Sequence, residues 1–480
     1  MPKLNQLNKL LTMTRTKLKY ILSVLLISSV VLSCKVTRPY QQLDINTNAL
    51  YRDQTTTDTA TLATMPWQNL FGDTILKGLI KQGLDNNLNL KVAIQKIEEA
   101  RATLGQTKGA LLPSLNAFAS VTPAKSSAAA LDFPPGITIN TNTTIYQLGL
   151  SSSWEADVWG KLSSAKRSAF ANLLQTDAAK RAVQTQLIAD IANNYYMLLA
   201  LDKELDITTR TMQNRVKDVE TMKTLKEAAV VNGAAVVQSE ANRYAAEVAI
   251  PDIKRNIRET ENALDVLLRR APGPVNRGKL DDQKPITDLQ TGVSSQLLKN
   301  RPDVQQAEYA FRGAFENTNV AHAYFYPAFT ITASGGYSNL TLKDFFINSI
   351  FYNIAAGLTQ PIFNQGINKA RLKTAQAQQK EAMYNYQQTV LTAGSEVSNS
   401  LYAYQSAKEK DDARSKQIAA LEKSVDYTQQ LLRYSSATNY TDVLTSEQSL
   451  LAAQLNGVND RLQQLQAIVN LYRALGGGWR

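Results

Sequence analysis

Few side chains in this sequence have the type and spacing that catalysis requires. The chain contains one histidine, His322, and one cysteine, Cys34. Because no thiol or metal-ligating partner accompanies His322, we interpret it as a packed or equatorial residue near the end of a helix rather than a base. Adjacent carboxylates such as Glu98 and Glu99 fall on solvated helix faces, and no glycine-rich phosphate loop is present. The sequence therefore predicts that the protein is not an enzyme and holds no cofactor or metal.

The positive charge of the chain is modest and scattered. The formal net charge is +11, but five positive residues and no acid precede Cys34, which leaves +6 for the rest of the chain. Lysines and arginines are interspersed with acids along the sequence, whereas nucleic-acid binding usually concentrates basic residues on one face or arm. We therefore expect no nucleic-acid partner.

The first 34 residues have the features of an export signal. A basic stretch ends at Lys19, an apolar run follows from Ile21 to Leu32, and Ser33 precedes Cys34. The run is too short to cross a membrane as a helix, which needs about 20 residues. A charged start, a short apolar core and a small residue before the cleavage point are typical of a secretory signal. Cys34 at this point resembles the cysteine of a bacterial lipobox, whose thiol is acylated, although a buried cysteine in an ordinary signal peptide is the alternative.

The remainder of the sequence contains two internal repeats. Residues 67–272 and 287–480 follow the same order of elements: a helix, two strands, a very long helix, a turn and a returning helix. Residues 1–33 are the predicted signal, 34–66 an extended anchored segment, and 273–286 a linker. The strands are predicted at about 114–122 and 144–155 in the first repeat, and at about 328–338 and 350–361 in the second.

The long helices have narrow seams of small residues. From Lys161 to Asn232 there is neither glycine nor proline over 72 residues, which predicts a helix roughly 100 Å long. Gly233 stops this helix and a second one returns to Arg270; the second repeat runs out over 367–433 and back over 441–475. Alanine, serine, threonine and glutamine dominate, so the helices suit side-by-side packing around an aqueous lumen. A periplasmic coiled-coil rod is the alternative.

The four strands favour a membrane β-barrel over that rod. Apolar side chains alternate with small or polar ones over about ten residues, as in barrels whose outer face meets lipid. A barrel must close in lipid, and four strands are too few, so three copies giving twelve strands are required. A soluble four-stranded sheet is the alternative. The predicted outer-face residues are Leu115, Ala117, Ala119, Val121, Tyr146, Leu148, Leu150, Trp154, Phe329, Ile331, Ala333, Tyr337, Tyr352, Ile354, Ala356 and Leu358.

Five stretches, in order across the chain, resemble the TolC-like outer-membrane factors, in particular their lipoprotein branch (OprM- and NodT-like) that serves resistance-nodulation-division pumps. The resemblance implies a mainly α fold with a membrane β-barrel portion: two repeats per chain, and a trimer whose 12-stranded barrel, four strands per protomer, continues into a long periplasmic α-helical barrel. The stretches are Trp67–Leu88, Trp154–Lys161, Leu298–Glu308, Gln360–Gly366 and Ala474–Trp479.

The resemblance also implies a function and partners. The chain is expected to be the outer-membrane channel of a tripartite efflux system, a passive exporter of drugs or metal ions that is anchored by lipid and extends into the periplasm. Its expected partners are two further copies, a periplasmic adaptor protein, an inner-membrane pump of the resistance-nodulation-division type and outer-membrane lipid. An exit duct for type I protein secretion and a non-channel scaffold lipoprotein are the alternatives.

The turns of the two long hairpins are the predicted contact and gating sites. In this family the periplasmic end is closed by hairpin tips, and Asp442 stands where the family has its first aspartate, although Thr445 replaces a second acid. Three copies of Asp442 would form a carboxylate ring at a constriction; the alternative is that its charge favours the start of the returning helix. The candidate adaptor-contact residues are Asn232, Gly233, Asn439 and Tyr440.

Overall fold

The protein is described by a computed structural model, which covers residues 36–47, 50–52, 59–127, 140–286, 289, 291–292, 294–435 and 438–480. Cys34 and the predicted signal lie outside the described residues. The chain forms two compact units. The first, the strand unit, comprises residues up to Leu43, Glu98–Leu174 and Glu308–Tyr384; the second, the helical unit, comprises Asp44–Ile97, Gln175–Ala307 and Asn385–Arg480.

Nine α-helices and four strands make up the described part of the chain, and each half repeats the predicted order of elements. Short 3₁₀ turns lie at Leu62–Thr64, Leu280–Asp282 and Ser294–Gln296. The elements are α1 Trp67–Leu70, α2 Thr74–Asn86, α3 Leu88–Gly109, β1 Ser114–Lys125, β2 Asn142–Ala156, α4 Lys161–Glu227, α5 Gly233–Leu268, α6 Leu297–Asn300, α7 Pro302–Ala323, β3 Ala328–Asn339, β4 Ile350–Thr359, α8 Ile367–Tyr434 and α9 Tyr440–Ala474.

The two long outgoing helices are α4, with 67 residues, and α8, with 68 residues. Helix α4 ends at Glu227, five residues before the end of the glycine-free stretch. The reason is a left-handed residue that is not glycine: Ala229 has φ +59°, and the N–H of Val230 donates back to the Leu225 carbonyl at 2.8 Å. Such a helix end has no sequence signal, because alanine rarely adopts this conformation.

Short polar side chains fix the starts of several helices. The Asp157 carboxylate, after β2, accepts from the backbone N–H groups of Leu162 and Ser163 at 2.8 Å each, which caps α4. Asp73 does the same for α2 through Ile75 at 2.8 Å. Such caps supply acceptors for the free N–H groups of the first turn.

Strands β1 to β4 form one antiparallel sheet in the order β1-β2-β3-β4. The central pair joins the two halves of the sequence, because β2 belongs to the first repeat and β3 to the second; their register sets Leu150 opposite Gly335. The outer pairs are the hairpins β1-β2 and β3-β4. Strand β4 ends at Thr359, shortly before Pro361, whose nitrogen cannot donate to a sheet.

A buried arginine connects three helices of the helical unit. Arg301 is 4 % exposed, and its guanidinium donates to Asp303 at 2.6 Å, to Glu396 at 2.8 Å and to the carbonyl of Ala474 at 2.9 Å. Burial would raise the pKa of the Asp303 carboxyl, but the hydrogen bond and charge of Arg301 outweigh it and hold that pKa below its ordinary value. One side chain thus joins the start of α7, the middle of α8 and the end of α9.

Within the described residues, no helix combines the length and the apolar character needed to cross a membrane.

Candidate functional site

One face of the sheet is apolar and largely exposed. Residues directly opposite each other in an antiparallel pair point to the same face, and the register puts the sixteen predicted outer-face residues, together with Ile350, on one side. Apolar area of this size on a protein surface marks contact with a membrane or a partner. The exposed side chains on this face include Leu115 (70 %), Val121 (63 %), Leu150 (53 %), Ile350 (77 %), Tyr352 (83 %), Ile354 (73 %) and Leu358 (66 %).

The opposite face carries mostly small and polar residues, with two aromatic exceptions: Phe118 opposite Gly149 and Phe351 opposite Gly336. The backbones of β2 and β3 approach closely where Gly149 lies opposite Gly336, and a Cβ added at Gly336 would collide with the Leu148 carbonyl oxygen. Glycine is therefore required at this crossing because no side chain fits. The remaining side chains on this face include Asn116, Ser120, Gln147, Ser151, Ser153, Thr330, Thr332, Ser334 and Asn353.

The sheet has two edges among the described residues. Strand β1 pairs only with β2, and β4 pairs only with β3, so one side of each edge strand has backbone N–H and C=O groups without a strand partner in that part of the chain. Both edges are long, with 12 residues in β1 and 10 in β4. Long apolar edge strands pair readily with another chain, and in lipid they have to.

Aromatic and cationic residues fasten the sheet to the helices that follow it. The Tyr324 ring lies 3.8 Å from the Arg371 guanidinium and 5.0 Å from the Lys161 ammonium, measured to its centroid. The Trp159 indole donates to the Pro327 carbonyl at 2.7 Å, and its ring lies 5.1 Å from that of Tyr326. Tyrosine and tryptophan with cations are the residues enriched where a membrane meets water.

The N-terminal segment runs along α7 to the same end of the sheet. The backbone of Arg38 exchanges two hydrogen bonds with the Asn319 side chain, at 3.1 and 3.0 Å. Tyr40 packs edge-on against the ring of Phe311, with centroids 5.8 Å apart. Thr37 packs directly against Gly160, between the end of β2 and the start of α4. The described segment therefore approaches the strand ends as it nears residue 36.

The predicted gate residue Asp442 lies in the first turn of α9, exposed at the tip of the second hairpin. Its carboxylate accepts from the Thr438 hydroxyl at 2.8 Å and from the backbone N–H of Asn439 at 3.3 Å. The Asn439 side chain in turn accepts from the backbone N–H of Asp442 at 3.2 Å, which completes a capping box. Within one chain, Asp442 therefore stabilises the start of the returning helix.

The other predicted tip residues lie on both hairpins. The Asn232 side chain caps α5 by accepting from the Ala235 N–H at 3.2 Å, and Gly233 is the first residue of that helix. Tyr440, at the start of α9, packs into a small buried cluster with Met222 and Val236 of the first hairpin. The structure therefore brings Tyr440 to the contact between the hairpins, while Asn232, Gly233 and Asn439 form the turns.

A pair of acids also lies between the hairpins. Asp218 of α4 and Glu447 of α9 interact through their side chains, close to Tyr440. No local pattern marks these residues, since each is an ordinary acid on a polar helix. His322 is exposed at the end of α7, and no group of three potential metal-ligating side chains occurs in the described part of the chain.

Comparison with known proteins matches the chain over most of its length. The family described as "Outer membrane efflux protein" matches residues 79–268 and 293–477. The "Probable outer membrane lipoprotein SilC" of Salmonella typhimurium is 29 % identical over 416 residues, which covers 86 % of this chain and 88 % of that protein. The "Toluene efflux pump outer membrane protein TtgC" of Pseudomonas putida is 29 % identical over 419 residues, covering 86 % and 85 %.

A solved structure agrees in fold. The crystal structure of the open state of the Neisseria gonorrhoeae MtrE outer membrane channel superimposes on this chain with a TM-score of 0.82 at 26 % sequence identity. The match covers 93 % of this chain and 99 % of that one. The residues of the two-part family match include all four strands and the long hairpins.

Proposed function

This chain belongs to the outer membrane efflux protein family, and from that premise we propose that it is the outer-membrane channel of a tripartite efflux system, a passive conduit for small molecules. The observation that carries the proposal is the sheet with one exposed apolar face and one face of mostly small and polar residues. A wall of this kind separates lipid on one side from water on the other. The chain adds no energy source; transport is driven by the partner pump.

Three copies complete the channel wall. A closed barrel needs about eight strands or more, and the described part of one chain supplies four, with β1 and β4 at the edges of its sheet. Pairing β4 of one protomer with β1 of the next satisfies the backbone groups of both edges and gives twelve strands around one pore. Because lipid offers no hydrogen-bond partners, this closure is the condition for spanning the membrane.

A lipid on Cys34 anchors the chain at the periplasmic ends of the strands. Thr37 packs against Gly160, next to the end of β2, and Cys34 precedes Thr37 by three residues. Three residues span at most about 10 Å, so an acyl group on Cys34 reaches the membrane boundary beside Trp159 and Tyr324. The orientation follows: the strands cross the outer membrane and the hairpins extend into the periplasm.

The hairpin tips are the docking end of the channel. Asn232, Gly233, Asn439 and Tyr440 lie in or beside the two turns, and we assign them to contact with a periplasmic adaptor that connects to an inner-membrane pump. Asp442 is exposed at this end, and three copies around one axis bring three carboxylates together. In each chain the capping box holds the carboxylate in place against the repulsion of the other two. Because the ring is negatively charged, it favours cations at the entrance.

Conductance in planar lipid bilayers tests the channel directly. The purified full chain, confirmed as a trimer, is expected to show steady, cation-preferring openings. The variant Gly336→Val is the control. Its side chain would collide with β2 and prevent strand pairing, so this variant should not conduct. Confirmed wild-type trimers without any conductance would contradict the channel and favour a scaffold lipoprotein.

A further inference from the structure

Two acids face each other between the helix hairpins. Asp218 lies on α4 of the first hairpin and Glu447 on α9 of the second, and both line the same cavity, where their carboxyl groups interact electrostatically. The Oδ2 atom of Asp218 is buried and has no hydrogen-bond donor among the described residues. Two carboxylates have four acceptor oxygens and no donor between them. A single proton held between the two groups supplies the missing donor.

The neighbouring side chains compensate the negative charge of the two carboxylates only in part. From α4, Arg215 faces the pair, but its Nη1 donates to the Asn242 carbonyl of α5 at 2.5 Å and its buried Nε has no partner in the described part of the chain. From α8, Gln429 donates to Glu447 at 2.9 Å, and Arg433 contributes positive charge at longer range.

The other groups around the pair are neutral or more solvated. Tyr440 of α9 lies close by, and burial raises the pKa of its phenol, so it stays neutral. Helix α5 contributes Asn242 and Ser239, which are polar but uncharged. A cavity of about 420 Å³, lined also by Arg210 and Lys217 of α4, opens beside the pair and gives solvent protons access to it.

We propose that Asp218 and Glu447 form a proton-dependent latch between the two hairpins. While the carboxyl groups share one proton they hydrogen-bond and hold the hairpins together. When the proton leaves, two negative charges face each other in a half-buried site and push the tips apart. The latch is a property of the folded chain; its effect on a pore rests on the channel function proposed above.

The direction of the pH dependence follows from the chemistry of the pair. Burial, and then the neighbouring charge of Glu447, raise the pKa of Asp218 from its ordinary 3.8 to about 7, against the lowering effect of Arg215 and Arg433. Burial also raises the pKa of Glu447. A carboxyl whose pKa is higher when the hairpins are in contact favours that contact while it is protonated. The contact between the hairpins is therefore most stable below about pH 4, becomes less stable as the pH rises toward 7, and has a constant stability above that.

The size of the effect can be bounded. With pKa values of about 7 docked and 3.8 separated, raising the pH from about 5.5 to about 8 favours separation by up to about 30-fold. Solvent screening of this half-buried pair reduces the effect, so we expect a change of about 5- to 30-fold. The apolar contact of Tyr440 with Met222 and Val236 remains at every pH, so the latch modulates docking rather than creating it.

Amide hydrogen exchange at the tips tests the latch without reference to conductance. The trimeric full chain in detergent is compared at about pH 5.5 and pH 8, and exchange over residues 228–240 and 438–447 is divided by the rate of an unstructured peptide at the same pH. In the wild type, exchange corrected in this way should be about 5- to 30-fold faster at the higher pH. An unchanged corrected rate, or faster exchange at the lower pH, would overturn the proposal.

Isosteric variants identify the responsible groups. Asp218→Asn keeps the shape of the protonated acid and cannot ionise, so its tips should be protected at both pH values, with less than about a 3-fold change; Glu447→Gln should behave alike. Asp206→Asn is the matched control, since Asp206 lies on the same helix in an exposed ion pair with Arg210, and it should retain the wild-type response. A response that survives in both Asp218→Asn and Glu447→Gln assigns the pH dependence to other groups and refutes the latch.

The consequence for the pore is measured separately. If the chain conducts, wild-type openings should be more frequent at about pH 8 than at about pH 5.5, and Asp218→Asn should abolish the difference. A pH-dependent exchange in a protein that does not conduct would uphold the latch and reject the channel. A protein that conducts but shows no pH-dependent exchange would uphold the channel and reject the latch.

Discussion

Replacing Ile354 with arginine tests which face of the sheet meets lipid. Ile354 lies in the middle of β4, opposite Ala333 of β3, and its side chain is 73 % exposed on the apolar face. Its neighbour Asn353 is also exposed but points to the opposite face, opposite Ser334. Arginine at Asn353 is therefore a matched control, one residue away in the same strand with the same added charge.

The magnitude follows from the depth of the residue. An arginine on the lipid face near the middle of a membrane barrel costs about 2–4 kcal/mol. A trimer carries three copies, so Ile354→Arg should destabilise the assembled barrel by about 6–12 kcal/mol. Because net protein stability is usually about 5–15 kcal/mol, a loss of this size should prevent most assembly. Asn353→Arg faces water in the pore and should cost little.

The assay is the yield of heat-resistant trimer in the outer-membrane fraction, followed by bilayer conductance of the trimers recovered. Ile354→Arg should give little trimer. Asn353→Arg should assemble to wild-type levels and conduct with weaker preference for cations, because three positive charges are added to the pore wall. Equal loss in both variants, or loss only with Asn353→Arg, would refute the assignment of the two faces.

Three further predictions concern other parts of the chain. Arg301→Ala removes the hydrogen bonds of a buried guanidinium to Asp303, to Glu396 and to the carbonyl of Ala474, so it should lower the free energy of unfolding by about 1.5–3 kcal/mol, measured by thermal denaturation of the trimer; a loss below about 1 kcal/mol would contradict the bridging role. Asp442→Ala removes half of the capping box, which should cost about 1 kcal/mol, and larger openings in planar bilayers would support the carboxylate ring, whereas unchanged conductance leaves only the cap. Cys34→Ser should abolish metabolic labelling with palmitate while trimers still form, and labelling that persists would exclude lipidation of Cys34.

Much of the fold could be predicted from the sequence because the relevant patterns are local. The alternation of side chains in Thr144–Trp154 identifies both faces of β2, since a strand's side chains point alternately to opposite sides. The absence of glycine and proline after Lys161 predicts a very long helix for the same local reason. Its end was misplaced, because Ala229 adopts a left-handed conformation that residue type does not encode.

The candidate sites were predictable in position but not in contacts. The turns at Asn232 and Asn439 are marked by residues that favour helix starts, and both side chains cap the following helix. That Asp442 joins a capping box follows from its spacing to Asn439. The contact of Tyr440 with Met222, by contrast, joins residues from different hairpins, and no local spacing predicts it.

The sequence by itself determined which residues form strands and long helices, which face of each strand is apolar, and that the chain repeats its plan, because these properties depend on neighbours within a few residues. Only the tertiary structure decided that β2 of one repeat pairs with β3 of the other, leaving β1 and β4 as edges. It alone also brought Asp218 against Glu447. Such pairings depend on the packing of segments that are far apart in the chain. The free energy of a contact between two ordinary residues depends on their burial and on neighbouring charges, and tertiary packing decides both.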